Sequence, residues 1–454
     1  MNRKSRNLAV ACIALVLCVS AVFAVSAEKG TLRAGAARVD ITPAPDAALP
    51  MGGYSGRTEG FKGIHDNLYV RAIVVDDGST QAAIVGVELG GVSNAILEKI
   101  NQRVPQELGI PLNNLMLAAV HTHDAPTTGP RTGQPEGKQA AYAAKVEEAI
   151  ISSIRQAKAN LQPARVGYGA GKAYININRR EFFPDNGWYW LGYNPDEASD
   201  KTLAVMRFED MSGKPIAFFI NYPVHAVTMG PRNYQVSGDL AGATSRFVER
   251  YYKGQEADKP RSDAGYAIRL KPQEVSNNVV AVWTSGTAGD QNPISMSNTE
   301  DFTLVEAYGK ILGEETVRVA GSIKTSAQGR IWGARRAVSC PGGTVDEGPR
   351  PRKVYKFGDA PTPVNIRLSL LVINDTALAG ISGEVLTNIG LQLKKGSPFN
   401  HTIVVTHADG SVGYIPSNSL FDHQISYENS SGRLKPDCAE NAIVNGFMEM
   451  MLAP

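Results

Sequence analysis

Two histidines two residues apart stand in His121-Thr122-His123-Asp124-Ala125-Pro126, directly after the apolar run 115–120. On an extended segment, side chains at i and i+2 point to the same side, which suits shared contact with one metal ion or with an ion and its bound water. A pair of this kind equally suits satisfied structural histidines. A third histidine, His225, comes soon after the apolar run 216–220, Asp290 follows the run 279–284, Glu384 follows Ser382-Gly383, and Tyr414 lies beyond the run 403–406. Imidazole nitrogens with a carboxylate oxygen are the ligand set of a catalytic zinc site. Tyrosines such as Tyr414 and Tyr427 more commonly serve packing.

For these residues to meet, several strands must end in one place. The apolar periodicity predicts strands over 32–42, 68–75, 82–87, 115–120, 164–168, 174–180, 203–208, 216–220, 279–284, 364–373, 377–381 and 403–406. Asp76-Asp77-Gly78 and Asn374-Asp375 mark hairpin turns. Helical spacing is read over 93–104, 139–161, 240–252, 303–323, 385–393 and 439–452, with the long run 139–161 carrying Val146, Ile150, Ala157 and Leu161 on one face. Residues 253–278 read as a polar surface excursion, 341–363 as a loop, and Trp188-Tyr189-Trp190 as part of an aromatic loop that could pack, cover a site or meet a membrane. The expected fold class is α/β, mixed β-sheets flanked by helices, with the site at strand ends, where open α/β folds keep their ligands.

Composition narrows the class of protein. With 454 residues, 43% hydrophobic and 20% charged, the chain is globular, and no internal repeat or linker divides it. Its 46 basic and 44 acidic side chains nearly balance without a basic run, which excludes an electrostatic footprint for nucleic acid. The start, basic at Arg3, Lys4 and Arg6, then apolar over 8–25, then Val25-Ser26-Ala27, reads as a signal peptide of residues 1–27, so the chain is expected to be exported. Cys12 and Cys18 fall inside that signal, leaving Cys340 and Cys438, which could form one disulfide in an oxidising compartment. The spacing alone leaves their pairing open.

Some familiar metal and nucleophile motifs do not fit. In the His-x-His-x-Asp-His pattern of metallo-β-lactamases the Asp stands one residue later and Pro126 would be histidine. The His-x-His of barrel amidohydrolases lies on the first strand, whereas here several elements precede it. No Gly-x-Ser-x-Gly elbow, P-loop or dinucleotide fingerprint is present.

An ordered set of short motifs instead resembles the neutral/alkaline, non-lysosomal ceramidase family. They are Asp40-Ile41-Thr42-Pro43, Gly63-Ile64-His65 with Leu68-Tyr69-Val70-Arg71-Ala72, the His121–Pro126 segment, Asn176-Ile177-Asn178-Arg179, Asp200-Lys201 before Met206-Arg207-Phe208, Asn221-Tyr222-Pro223-Val224-His225, Ser237-Gly238-Asp239, Gly289-Asp290 and Gly383-Glu384. The resemblance implies a zinc (Zn2+) amidase with a ceramidase-like catalytic domain over 28–454, cleaving the N-acyl bond of ceramide to a sphingoid base and a fatty acid. It implies His121, His225, Glu384 and Tyr414 as zinc ligands. His123, Arg179 and Tyr427 would surround the scissile carbonyl, His123 as general acid/base and Arg179 or Tyr427 as oxyanion donors.

Two departures accompany the resemblance. The family's Gly-Asp-Val-Ser-Pro-Asn motif reads Gly289-Asp290-Gln291-Asn292-Pro293-Ile294, and an amide at Asn292 cannot be acylated as a serine hydroxyl can. The family also carries a C-terminal immunoglobulin-like domain, whereas this sequence ends at Pro454. Two further readings therefore stand beside ceramide hydrolysis: a zinc hydrolase of the same fold acting on a soluble, non-lipid amide or ester, and an exported binding protein without catalysis. The expected partner is a small-molecule or lipid substrate, with peripheral membrane contact and oligomeric state left open.

Overall fold

In the computed structural model, residues 30–130, 134–185, 187–255, 276, 278–346, 356–421 and 425–453 are described. The signal segment and most of the 253–278 excursion lie outside them. The architecture is a mixed α/β fold built on an eight-stranded sheet whose order runs Val280–Ser285, Pro215–Tyr222, Thr202–Asp210, Gln162–Lys172, Arg33–Asp40, Tyr69–Asp76, Gln81–Val87, Leu115–Ala119. The last strand is Leu-Met-Leu-Ala-Ala and wholly buried. It pairs in parallel with Gln81–Val87, so the chain must cross over between them, and helix Asn94–Leu108 makes that crossing. Ser93 caps the helix start, accepting from the Ile96 N–H at 3.4 Å, and Gly109, at φ 66°, ends it in a left-handed turn. Helix Gly137–Ala159 covers the same face with Val146, Ile150 and Ile154.

The sheet curls so that its end strand, Val280–Ser285, lies across Tyr69–Asp76 and Gln81–Val87. Gly86 permits this approach, because a Cβ there would meet the Trp283 carbonyl oxygen at 2.8 Å. Between the curled halves Ile73, Ile84, Met206, Phe219 and Val282 form one apolar cluster, which continues through Leu371, Leu378 and Ile403 into a second sheet. That sheet has the order Ile331–Cys340, Val364–Ile373, Thr376–Ile381, His401–Thr406. Helices Thr387–Gly396 and Ala439–Leu452 cover its other face with Ile389, Leu393, Ile443 and Phe447.

Several elements differ from the sequence reading. The aromatic segment is a strand, Trp188–Asn194, pairing with Asn176–Phe183, because that hairpin satisfies backbone groups a loop would leave open. The 341–363 stretch holds a second hairpin, Gly343–Asp346 with Lys356–Asp359. Strand Ile331–Cys340 escaped notice because it sits at a sheet edge with little fully buried apolar alternation. The 385–393 helix begins at Thr387, since Glu384–Val385 is drawn into parallel pairing with Tyr414–Ile415.

Cys340 and Cys438, left open by their spacing, are joined, with Cα atoms 5.7 Å apart. The bridge ties the end of the edge strand to the start of the last helix across 98 residues of sequence. Closing a loop of this length restrains the unfolded chain strongly. Replacing both cysteines by serine is expected to lower unfolding free energy by about 2–4 kcal/mol and the calorimetric midpoint by several degrees. An unchanged midpoint would show that packing of the last helix alone holds this corner.

Candidate metal centre

The two long-range neighbours of the His121 segment are set by backbone. After strand Leu115–Ala119, Val120 N–H still bonds to the Val87 carbonyl at 2.9 Å, and Ser285 Oγ donates to the Val120 carbonyl at 3.0 Å. The chain then turns: His121 has φ 63°, a region that residues other than glycine seldom occupy outside functional or strained sites. Thr122 forms a parallel bridge with Ala226, and His123 N–H donates to the Ala226 carbonyl at 3.1 Å. That single bridge brings the exit of strand Pro215–Tyr222, and with it His225, against the exit of Leu115–Ala119. Glu384 arrives from the second sheet, at the end of Thr376–Ile381.

The ring tautomers follow from carbonyl partners, which can only accept. His121 Nδ1 lies 2.7 Å from the Gly90 oxygen and His225 Nδ1 3.1 Å from the Gln291 oxygen, so both Nδ1 atoms carry protons and both Nε2 atoms face the cluster. Glu384 Oε2 lies 3.4 Å from His121 Nε2 and 3.2 Å from His225 Nε2, and His123 Nε2 lies 3.2 Å from His121 Nε2. Donors bound tetrahedrally at 2.0–2.1 Å from one ion are separated by about 3.3–3.4 Å. These separations match a tetrahedral centre, and both the His121, His123, His225 trio and the His121, Glu384, His407 trio keep their ligand atoms within 4.8 Å of one another.

Electrostatics point the same way. Burial pushes His225 down to about 4, with Arg179 adding to the effect, so its ring is neutral near pH 7. Burial, with His121 and His225 beside it, likewise holds His123 well below the usual imidazole range. Burial would raise Glu384, yet His121, foremost among its neighbours, keeps its carboxyl well below the usual range, and it is an anion. Imidazole nitrogens and a carboxylate thus converge on one buried point, a donor set that fits a metal ion.

The other expected residues form a shell beside this cluster. Arg179, buried on strand Asn176–Phe183, donates from Nη2 to the Tyr414 hydroxyl at 3.0 Å, from Nε to Glu428 Oε1 at 3.0 Å and from Nη1 to Asn292 Oδ1 at 3.2 Å. Its Nη1 is 3.5 Å from His225 Nε2, and its guanidinium lies 5.5 Å from the ring centroids of both Tyr414 and Tyr427. Burial raises the Tyr414 phenol well above its ordinary value, with Glu384 and Tyr427 adding to the rise. Gly53, at φ 86°, lets its loop lie against His123; a Cβ there would stand 2.2 Å from His123 Cγ.

Two strand-end acids turn out to face elsewhere. Asp290 accepts from Thr387 Oγ1 at 2.6 Å, from Thr387 N–H at 3.1 Å and from Asn178 Nδ2 at 3.2 Å, anchoring the start of a helix. Asp124 turns away from the histidines to a buried ion pair with Arg57 at 3.0 Å and to Asn233.

Two residues of the site were not singled out in the sequence. Glu428 sits on the short helix Tyr427–Ser431 and fixes Arg179 Nε. His407 follows strand His401–Thr406, obeying the same strand-end rule as His121 and His225. It has φ 54°, a buried Nδ1 without a hydrogen-bond partner among the described residues, and a ring stacked on His121 at 3.7 Å and 19°. With Glu384 it keeps a ligand atom within 4.8 Å of His121, so it borders the same cluster and packs against the face of the His121 ring.

Residues 32–305 match the model of the neutral/alkaline non-lysosomal ceramidase N-terminal domain, and the chain belongs to this family. The neutral ceramidase of Pseudomonas aeruginosa is 30% identical over 251 residues, 52% of this chain and 36% of that protein. Neutral ceramidase A of Dictyostelium discoideum is 28% identical over 246 residues, 51% of this chain and 33% of that protein. These matches span about a third of each relative's length. Two solved structures, a ceramidase complexed with C2 and the neutral ceramidase from Pseudomonas aeruginosa, each superpose with a TM-score of 0.73 over 93% of this chain at 20% identity, covering 75% and 74% of those chains. At that identity the likeness establishes the fold.

The buried neutral imidazoles make a pH prediction for chelator-treated protein. Unfolded histidine titrates near 6.5, so between about 6.5 and 4 the unfolded chain takes up a proton that folded His225 does not. Stability is then full above pH 6.5 and lost as the pH falls toward 4, by about 3 kcal/mol from this group, with His123 and His407 acting in the same direction. Urea melts at pH 7, 6, 5 and 4 should show falling midpoints, less steeply in His225→Gln. A flat profile would mean that these rings are not held neutral.

Proposed function

We propose that this protein is an exported, zinc-dependent hydrolase that cleaves an N-acyl amide bond, that of ceramide or a related N-acyl compound. The observation that carries the reading is the approach of Glu384 Oε2 to both His121 Nε2, at 3.4 Å, and His225 Nε2, at 3.2 Å. Membership of the ceramidase family supports it.

His121, His225 and Glu384 would hold the ion, with Tyr414, register partner of Glu384, as the fourth ligand. Zinc bound there supplies a Lewis acid that makes water available as a nucleophile at neutral pH. His123, its Nε2 turned to the cluster and its ring kept neutral, accepts the proton of the attacking water and returns it to the leaving amine. Arg179 donates to the oxyanion that develops on the scissile carbonyl, held in place by Glu428, and the Tyr427 hydroxyl is the second donor. Acyl transfer to a side chain at position 292 has no part, since Asn292 lacks a nucleophile and instead accepts from Arg179.

A lipid substrate is supported by the hairpin that carries Arg179. Its tip and outer face expose Phe182 at 49% and Tyr193 at 54%, while Trp190 meets Tyr427 edge to face at 5.5 Å. An apolar surface continuous with a catalytic arginine suits peripheral contact with a membrane. Among the described residues no helix is long and apolar enough to cross one. The second reading, a soluble amide or ester, is favoured by Asn292 alone.

Metal analysis of purified protein should find one zinc per chain, lost in His121→Ala and Glu384→Ala. With ceramides, short N-acyl amides and esters as substrates, Arg179→Ala should lower kcat by about 10²–10³-fold while leaving zinc content unchanged. Absence of stoichiometric metal would overturn the zinc reading. Turnover of short amides without turnover of ceramide would select the soluble substrate.

A further inference from the structure

A cavity of about 770 Å³ lies apart from the histidine cluster. Thr376 and His401, the first residues of two parallel strands of the second sheet, line it, whereas the far ends of those strands lead to Glu384 and His407. Six residues at about 3.3 Å each separate the two places by roughly 15–20 Å. The volume falls within the range of about 300–1,000 Å³ typical of small-molecule sites.

Its walls have a definite chemistry. Tyr168 and His401 stack at 4.1 Å and 23°, and Trp332 and Phe399 stand 6.2 Å apart, all four partly buried with ring surface left over. Val166, Met206 and Ile373 also border it but are almost wholly buried, so the rings supply its apolar surface. On the rim, Lys324 and Arg330 are exposed and have no ion-pair partner among the described residues. The acid on the lining, Asp375, is engaged with His401 Nε2 at 3.9 Å and with Asn400 Nδ2 at 3.3 Å. Two cations without ion-pair partners beside four partly buried aromatic rings favour a ligand with an apolar body and one anionic end.

We propose that this cavity is a second ligand site, distinct from the metal centre, that takes an amphipathic monocarboxylate. The carboxylate sits between Lys324 and Arg330, and the apolar body lies against Tyr168, Trp332 and Phe399. The proposal rests on no part of the hydrolase reading.

Calorimetric titration of the purified full chain with dodecanoate and with 3-phenylpropanoate distinguishes an alkyl from an aryl body, and dodecan-1-ol and 3-phenyl-1-propanol serve as uncharged controls. Saturable binding of at least one acid is expected, with quenching of Trp332 fluorescence that disappears in Trp332→Phe. The acid should bind about tenfold or more tighter than its alcohol, and Lys324→Ala with Arg330→Ala should remove that advantage. Glu384→Ala should leave binding unchanged. The proposal is overturned if neither acid binds, if acid and alcohol bind alike, if the double variant binds as wild type does, or if Glu384→Ala abolishes binding, which would place the acid at the histidines.

Discussion

Everything in this protein depends on tolerating a set of buried acceptors that face one another. Two imidazole Nε2 atoms whose protons are committed elsewhere, a third imidazole and an ionised carboxylate meet within about 3.4 Å or less of a neighbour. Without a cation such a cluster carries an uncompensated cost of several kcal/mol, so the fold has to hold it in place against that cost. It does so with backbone: the Thr122–Ala226 bridge joins two strand exits of one curled sheet, and the curl itself depends on Gly86 lying against Trp283.

The surroundings then fix orientation group by group. Carbonyls of Gly90 and Gln291 set the tautomers of His121 and His225, and His407 packs against the face of the His121 ring. Arg179 is held at three corners by Glu428, Tyr414 and Asn292. Restraint of this kind is what a catalytic cluster requires, since misplacement by a fraction of an ångström weakens every electrostatic contact. Asn292 illustrates the economy of the arrangement: where the family pattern has a serine, an amide oxygen accepts from the same arginine that borders the histidine cluster.

The second sheet links two places of different character. Its parallel strands Thr376–Ile381 and His401–Thr406 begin at a cavity of aromatic and cationic residues and end beside the histidines. The Cys340–Cys438 bridge secures the outer edge of that same sheet. The last helix packs on that edge strand and on Val364–Ile373, while helix Thr387–Gly396 packs on His401–Thr406.

Much of the framework was legible in the sequence because burial dictates it. Residues 115–120 read as a buried strand and 439–452 as a helix from periodicity alone, and the strands ending near His121, His225 and Glu384 named side chains that the fold brings together. Strands with little full burial were harder, as Ile331–Cys340 and Trp188–Asn194 show, because a half-exposed strand need not alternate cleanly. The short pairing of Glu384 with Tyr414 depends on partners far apart in sequence and leaves no local signal. His407 followed the same rule as its neighbours, yet only its stacking on His121 gives it a role, and Glu428 matters only because Arg179 is beside it. The side chains capable of metal and proton chemistry were thus set by residue type. Their tautomers, their mutual distances and their neutrality were decided by tertiary structure, because lone-pair direction and desolvation exist only once the strands have converged.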